Sequence, residues 1–198
     1  MSTRVVRWVA AVLALGVVAV VAVVLAARGG QTCVAPEGMV MPGRCIVAAD
    51  DRPPAPTTSL PVLGDQSTQL SVEAFSGDIV VVNFWGSWCA PCRTEQPDLN
   101  LVAAQYRDQG VSFLGVDVNE FSETNGLAHE AEFAIPYPSL WDPALDYAAD
   151  FEVIGPQGMP ATVIVDRDGR VAASFYGGTN EAEMSALLDM VVAESSAP

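Results

Sequence analysis

The chain has 198 residues, 51% of them hydrophobic, with 9 basic against 24 acidic residues and a net charge of −15. That length admits one ordinary domain with appendages and excludes two large ones. The charge excludes a nucleic-acid-binding protein and docking on anionic lipid: there is no lysine, and six arginines lie beyond residue 28 against all 24 acids.

One block inflates the hydrophobic fraction. Trp8–Ala27, WVAAVLALGVVAVVAVVLAA, is 20 residues without a charge. A helix rising about 1.5 Å per residue needs that length to cross a hydrocarbon core about 30 Å thick. Arg4, Arg7 and the N-terminus precede the block, and only Arg28 comes closely after it. The positive-inside rule then keeps the N-terminus cytoplasmic and places the chain beyond Arg28 outside. Residues 1–28 are expected to be a cytoplasmic stub and single-pass transmembrane anchor; the alternative is a signal peptide cleaved after Val24-Leu25-Ala26. Both readings export the remainder.

Residues 29–59 carry Pro36, Pro42, Pro53, Pro54 and Pro56 with little apolar periodicity, the mark of a partly extended linker. The linker holds Cys33 and Cys45. Two nearby thiols in an oxidising compartment pair as a rule, so a structural disulfide is expected there. It would be worth up to about 3 kcal/mol on the chain-entropy account. A second redox pair and a metal-ligating pair are the alternatives.

Residues 60–198 read as the folded domain. Asp78–Gly86, DIVVVNFWG, is a β-branched run between turn formers, a buried strand. Ala90–Gln109 spaces Leu99, Val102, Ala103 and Tyr106 by three and four and stops at Gly110, a helix with its C-cap. Val111–Val118 is a second strand. Glu123–Ala134 and Pro143–Phe151 are short helices, with Pro136 and Pro138 between them. Ala161–Gly177 is two strands joined by Asp-Arg-Asp-Gly, a hairpin signal. Thr179–Glu194 is a final amphipathic helix. The order β-α-β-α-α-β-β-α predicts an α/β fold, a central mixed sheet flanked by helices.

The chemistry centres on Phe84–Pro97, FWGSWCAPCRTEQP. Disulfide exchange needs one exposed, ionised thiol and a second that can resolve the mixed disulfide. A cysteine at a helix start gains unsatisfied N–H groups and the positive helix end, which favour the thiolate. A second cysteine three residues on faces the same way. Cys89 is therefore the expected attacking thiol and Cys92 the resolving one. Pro91 suits the first turn, where its missing N–H has no partner to lose. A zinc site would need four ligands, and His129 with Cys33 and Cys45 supplies no second close pair, so no metal and no cofactor beyond the Cys89–Cys92 disulfide is expected.

Val80–Pro97, VVVNFWGSWCAPCRTEQP, resembles the active-site segment of the membrane-anchored TlpA/ResA/CcmG-type (DsbE-like) thioredoxin-like thiol-disulfide oxidoreductases, whose hallmark is N-F-W-A-S-W-C-x-P-C-x-x-E-x-P. The resemblance runs over about Leu60 to Ala193, including YPSLWDPALDYAADF and MPATVIVDRDG, and leaves out the linker. It implies the thioredoxin-like fold. It implies a cis bond at Pro160, which removes a competing N–H and leaves the Met159 backbone free for an extended substrate. It implies that Glu95 tunes the thiols or relays protons, although a solvated helix glutamate would read the same. Asn83 stands where ordinary thioredoxins carry a buried acid. Trp85 is expected in the core, Trp88 on the substrate-binding surface beside Cys89, and Pro97 as a bend in the helix. His129, in an acidic helix, is expected at the surface. The loop IGPQGM before Pro160 is longer than the family's, so substrate preference does not carry over.

The expected function is thus an extracytoplasmic oxidoreductase exchanging disulfides with exported cysteine-containing proteins and recycled by a membrane redox partner. The expected direction is that of a reductant, as in cytochrome c maturation; the alternative is an oxidase forming disulfides in secreted proteins. A copper-handling module would want a Cys-x-x-x-Cys. A peroxidase would want a threonine at the position of Gly86.

Overall fold

Among the described residues seven strands form one mixed sheet, and its order explains where the reactive helix lies. The computed structural model describes residues 33–34, 44–151 and 158–194. The anchor expected at Trp8–Ala27 lies outside them, as does most of the IGPQGM loop. Among the described residues no helix is long and apolar enough to cross a membrane.

The strands are β3 (Leu60–Val62), β4 (Asp65–Leu70), β5 (Ile79–Trp85), β6 (Val111–Val118), β7 (Ser139–Asp142), β8 (Ala161–Val165) and β9 (Val171–Tyr176), in the order β4-β3-β7-β6-β5-β8-β9. A small antiparallel pair, β1 (Cys33–Val34) and β2 (Ile46–Val47), precedes them. The helices are α1 (Ala90–Tyr106), α2 (Glu123–Phe133), α3 (Asp146–Asp150) and α4 (Glu181–Glu194). β5, β6 and β7 run parallel; β3, β4, β8 and β9 join antiparallel. The successive crossovers β5-α1-β6 and β6-α2-β7 step the same way along the sheet. Right-handed connection puts both helices on one face.

Every residue of β5 is buried, as expected of a central strand covered on both faces. Ile79 and Val81 join Leu99, Val102, Met184, Leu187 and Leu188 in the layer under α1 and α4. Val80, Val82 and Phe84 point the other way, onto Tyr147, Ala148 and Phe151. Helix α1 passes through a short 3-10 turn, Arg107–Gln109, and stops at Gly110, whose φ of 71° is the left-handed conformation of a C-cap.

Three expectations need correction. Strands β3 and β4 escape the sequence pattern, because Pro61 and the polar run of β4 mask them. β7 is hidden between Pro138 and Pro143; parallel pairing of Gly115 through Val118 with Ser139 through Asp142 recruits it. Most important, residues 44–58 are not a linker. Ile46 is buried with α1 and α4. Arg52, 4% exposed, donates to Asp166 at 3.0 Å and Glu194 at 2.5 Å. The Ala55 N–H donates to the Gly169 carbonyl at 2.8 Å. The folded unit therefore starts well before Leu60.

Candidate active site

β5 ends at Trp85, and after the turn Gly86–Trp88 the chain enters α1 with Cys89 as N-cap. Cys89 and Cys92 are joined as a disulfide, with Cα atoms 5.3 Å apart. The Cys89 sulfur accepts the Cys92 N–H at 3.2 Å, the role an oxygen plays in an ordinary N-cap. No acidic residue sits in the first turn of α1. The positive helix end therefore acts on this sulfur without a countering charge.

The cysteines pack with Leu63 and Trp85, and half-buried Trp141 and Met159 lean on them. Against the expectation of an exposed thiol, Cys89 is 3% exposed and Cys92 1%. The two cysteines share a cluster with Trp85, and Trp88, Ala90 and Pro91 are the exposed residues beside them. Trp88 is 46% exposed. A Cβ on Gly86 would stand 2.6 Å from the Trp88 indole nitrogen, so the indole fills the space that a threonine there would need. The Met159–Pro160 peptide is cis, and Pro160 is buried.

Behind the cysteines one face of the sheet turns polar. Asn83 on β5, buried, donates to Glu95 Oε1 at 3.0 Å and to Thr162 Oγ1 at 3.3 Å. The Thr179 N–H donates to Glu95 Oε2 at 2.9 Å. Glu95 is not a solvated helix residue; it is 2% exposed. Burial pushes its carboxyl up to about 7, against the opposing pull of the Thr179 N–H, the Asn83 amide and the Arg44 charge.

Asp117, one register position across from Trp85 on β6, is a residue the sequence reading misses. It is fully buried, neither carboxyl oxygen has a hydrogen-bond partner among the described residues, and burial, with the Glu120 and Glu130 charges behind it, pushes it up to about 8. A Cβ on Gly126 of α2 would overlap its Oδ2, so the glycine keeps room for the carboxyl. An acid inside the apolar run VSFLGVDV and a glycine inside a helix are the signals that could have found it.

His129 also departs from expectation. It is 1% exposed, stacked on Trp85 with ring centroids 4.5 Å apart and tilted against Phe133. Burial and the Arg93 guanidinium, 3.3 Å from Nδ1, push it down to about 4. Because arginine can only donate, Nδ1 accepts and the ring proton sits on Nε2. Cys45 is disulfide-bonded. The Cys33 side chain, and with it the expected Cys33–Cys45 pairing, lies outside the described residues. Among the described residues no group of three or more His, Cys, Asp or Glu side chains could hold a metal ion.

Residues 52–174 match the AhpC/TSA family. The chain belongs to that family. It is 32% identical over 140 residues to the thiol:disulfide interchange protein HelX of Rhodobacter capsulatus, covering 70% of this chain and 75% of HelX. It is 25% identical over 126 residues to the thiol-disulfide oxidoreductase ResA of Bacillus cereus, covering 64% and 70%. Its fold is similar to that of a secreted thiol-disulfide isomerase from Corynebacterium glutamicum, with a TM-score of 0.72 and 26% identity over 83% of this chain and 99% of that one. With a bonded Cys-x-x-Cys at a helix N-cap in a thioredoxin-like sheet, this member of the family is a thiol-disulfide oxidoreductase.

Proposed function

We propose that the protein works outside the cytoplasm, tethered by Trp8–Ala27, and reduces disulfides in exported cysteine-containing proteins, in the manner of a cytochrome c maturation reductant. The observation that carries the exchange chemistry is the Cys89 sulfur capping α1, with Cys92 bonded to it one turn on. In the reduced protein the Cys89 thiolate attacks a substrate disulfide. One substrate sulfur leaves and takes a proton, and a mixed disulfide remains. Cys92 then gives up its proton, with buried Glu95 one turn further along the helix as acceptor, and attacks the Cys89 sulfur. The substrate leaves as a dithiol, two electrons have moved to it, and the Cys89–Cys92 disulfide re-forms. A membrane redox partner returns the two electrons.

The reducing direction is favoured by the surroundings of the pair. An oxidant is strong because its reduced, thiolate form is stabilised. Here both cysteines are buried against tryptophan and leucine, and a carboxyl lies on the same helix face. Burial disfavours thiolate at both sulfurs and offsets the pull of the helix end on Cys89.

Cys92→Ala in membrane fractions should accumulate reductant-sensitive adducts on Cys89, seen on non-reducing gels; their absence would remove the exchange mechanism. The equilibrium potential of the pair against glutathione sets the direction. A value near −270 mV agrees with a reductant, and one near −120 mV would make it an oxidase, on the approximate scale of this fold.

A further inference from the structure

The segment before Arg52 lies outside the part of the chain that matches the family, yet it reaches the active site. Arg44 sits immediately before disulfide-bonded Cys45 and buried Ile46. Its side chain is 13% exposed. The guanidinium stands 5.0 Å from the Phe175 ring centroid, pairs with Glu183 on α4, and donates to the carbonyls of Gly177, at 3.4 Å, and Gly178. Arginine's planar fork is suited to gripping several acceptors at once.

What it grips is the turn that closes over the reactive helix. A Cβ on Gly178 would lie 3.8 Å from Glu95 Oε2 and 3.9 Å from the carbonyl oxygen of Pro91, between the two cysteines. The next residue, Thr179, gives its N–H to Glu95 Oε2 at 2.9 Å. We propose that Arg44 is a positioning residue for the thiol chemistry, holding the Gly177–Thr179 turn against Glu95 and the Cys-x-x-Cys dipeptide. The claim rests on the oxidoreductase reading and adds to it a role for this chain's N-terminal extension. The burial of Ile46 in the layer under α1 and α4 keeps Arg44 in place.

The groups facing Glu95 come from every element around it. Asn83 on β5 and the Thr179 turn donate to it, and Cys92 precedes it on α1. Tyr137 feels its charge, and Glu183 on α4 is paired with Arg44. The Arg44 charge favours the ionised carboxylate. Removing it leaves Glu95 harder to ionise and loosens the donor at Thr179, so both effects act in one direction.

The test uses the full chain in detergent, reduced, with the rate of thiol alkylation by iodoacetamide measured from pH 5 to pH 10. In the wild type the profile should show an inflection that Glu95→Gln abolishes. Arg44→Gln should move that inflection to higher pH by at least half a unit, and Arg44→Lys should move it the same way by less. In the Glu95→Gln background, Arg44→Gln should change nothing further, which a merely structural role would not produce. An unmoved inflection, or an alkylation profile that Arg44→Gln changes as much in the Glu95→Gln background as in the wild type, overturns the proposal. Should Arg44→Gln not fold, the Arg44→Lys profile alone decides, an unmoved inflection again being fatal. A failure of mixed-disulfide trapping would strike the functional reading instead, and alkylation is read without any substrate.

Discussion

Two carboxyls, Glu95 bonded to Asn83 and Asp117 across from Trp85, are buried on the same face of the sheet, and they are handled in opposite ways. Glu95 receives an amide donor, a backbone donor and a nearby guanidinium, and is poised near neutrality. Asp117 receives none, and holds its proton to about pH 8. Burial raises both acids, but only the one given donors is held in a fixed geometry. A carboxyl so held, on the helix that carries the thiols, is the one suited to proton traffic beside them.

The comparison can be broken most forcefully at Asp117. Both acids are raised in the folded state, so the folded protein holds protons that the unfolded chain has released, and stability falls as pH rises. For Asp117 the loss runs from about pH 4 to about pH 8. Each tenfold change in proton affinity is worth about 1.4 kcal/mol, so Asp117→Asn should remove roughly 3–4 kcal/mol of the stability difference between pH 5 and pH 8 in denaturant titrations. An unchanged pH dependence would mean that the carboxyl finds donors after all. Glu95→Gln comes next. Its window is narrower, from about pH 4.5 to about pH 7, and it should remove roughly 2–3 kcal/mol of pH-dependent stability. Thiol reactivity should respond to Glu95→Gln and not to Asp117→Asn; an equal response would erase the distinction. The smallest effect is expected at Gly126. Alanine is the better helix former by about 1 kcal/mol, but its methyl would displace the Asp117 carboxyl. Overpacking costs about 1–3 kcal/mol. A net loss of roughly 1 kcal/mol is expected by urea unfolding of Gly126→Ala, and a net gain would show that the carboxyl has room to move.

The parts legible in the sequence are those written locally. A β-branched run, a turn and a helix opening at Cys89 succeed one another within about thirty residues, and propensity and capping decide them. Elements recruited from a distance are not legible. Strand β7 exists because β6 offers it an edge. Arg52 reads as a linker residue until Asp166 and Glu194 close around it. His129 reads as a surface residue because its helix is acidic, and only Trp85, 44 positions earlier, shows that it faces inward. Glu95 can be placed on the right helix face, but its environment depends on Asn83, Thr179 and Arg44 together.

Strand β4 carries a different consequence. Among the described residues it is one edge of the sheet, paired only with β3, and its side chains are Asp65, Gln66, Ser67, Thr68, Gln69 and Leu70, the first five exposed. Asp65 spends its carboxylate on the Ser67 and Thr68 hydroxyls of the same strand. An open edge recruits extended chains most readily when its side chains are apolar and uncharged. A polar edge leaves neighbouring extended chains, other copies of this protein included, as separate molecules instead of gathering them into a shared, aggregating sheet.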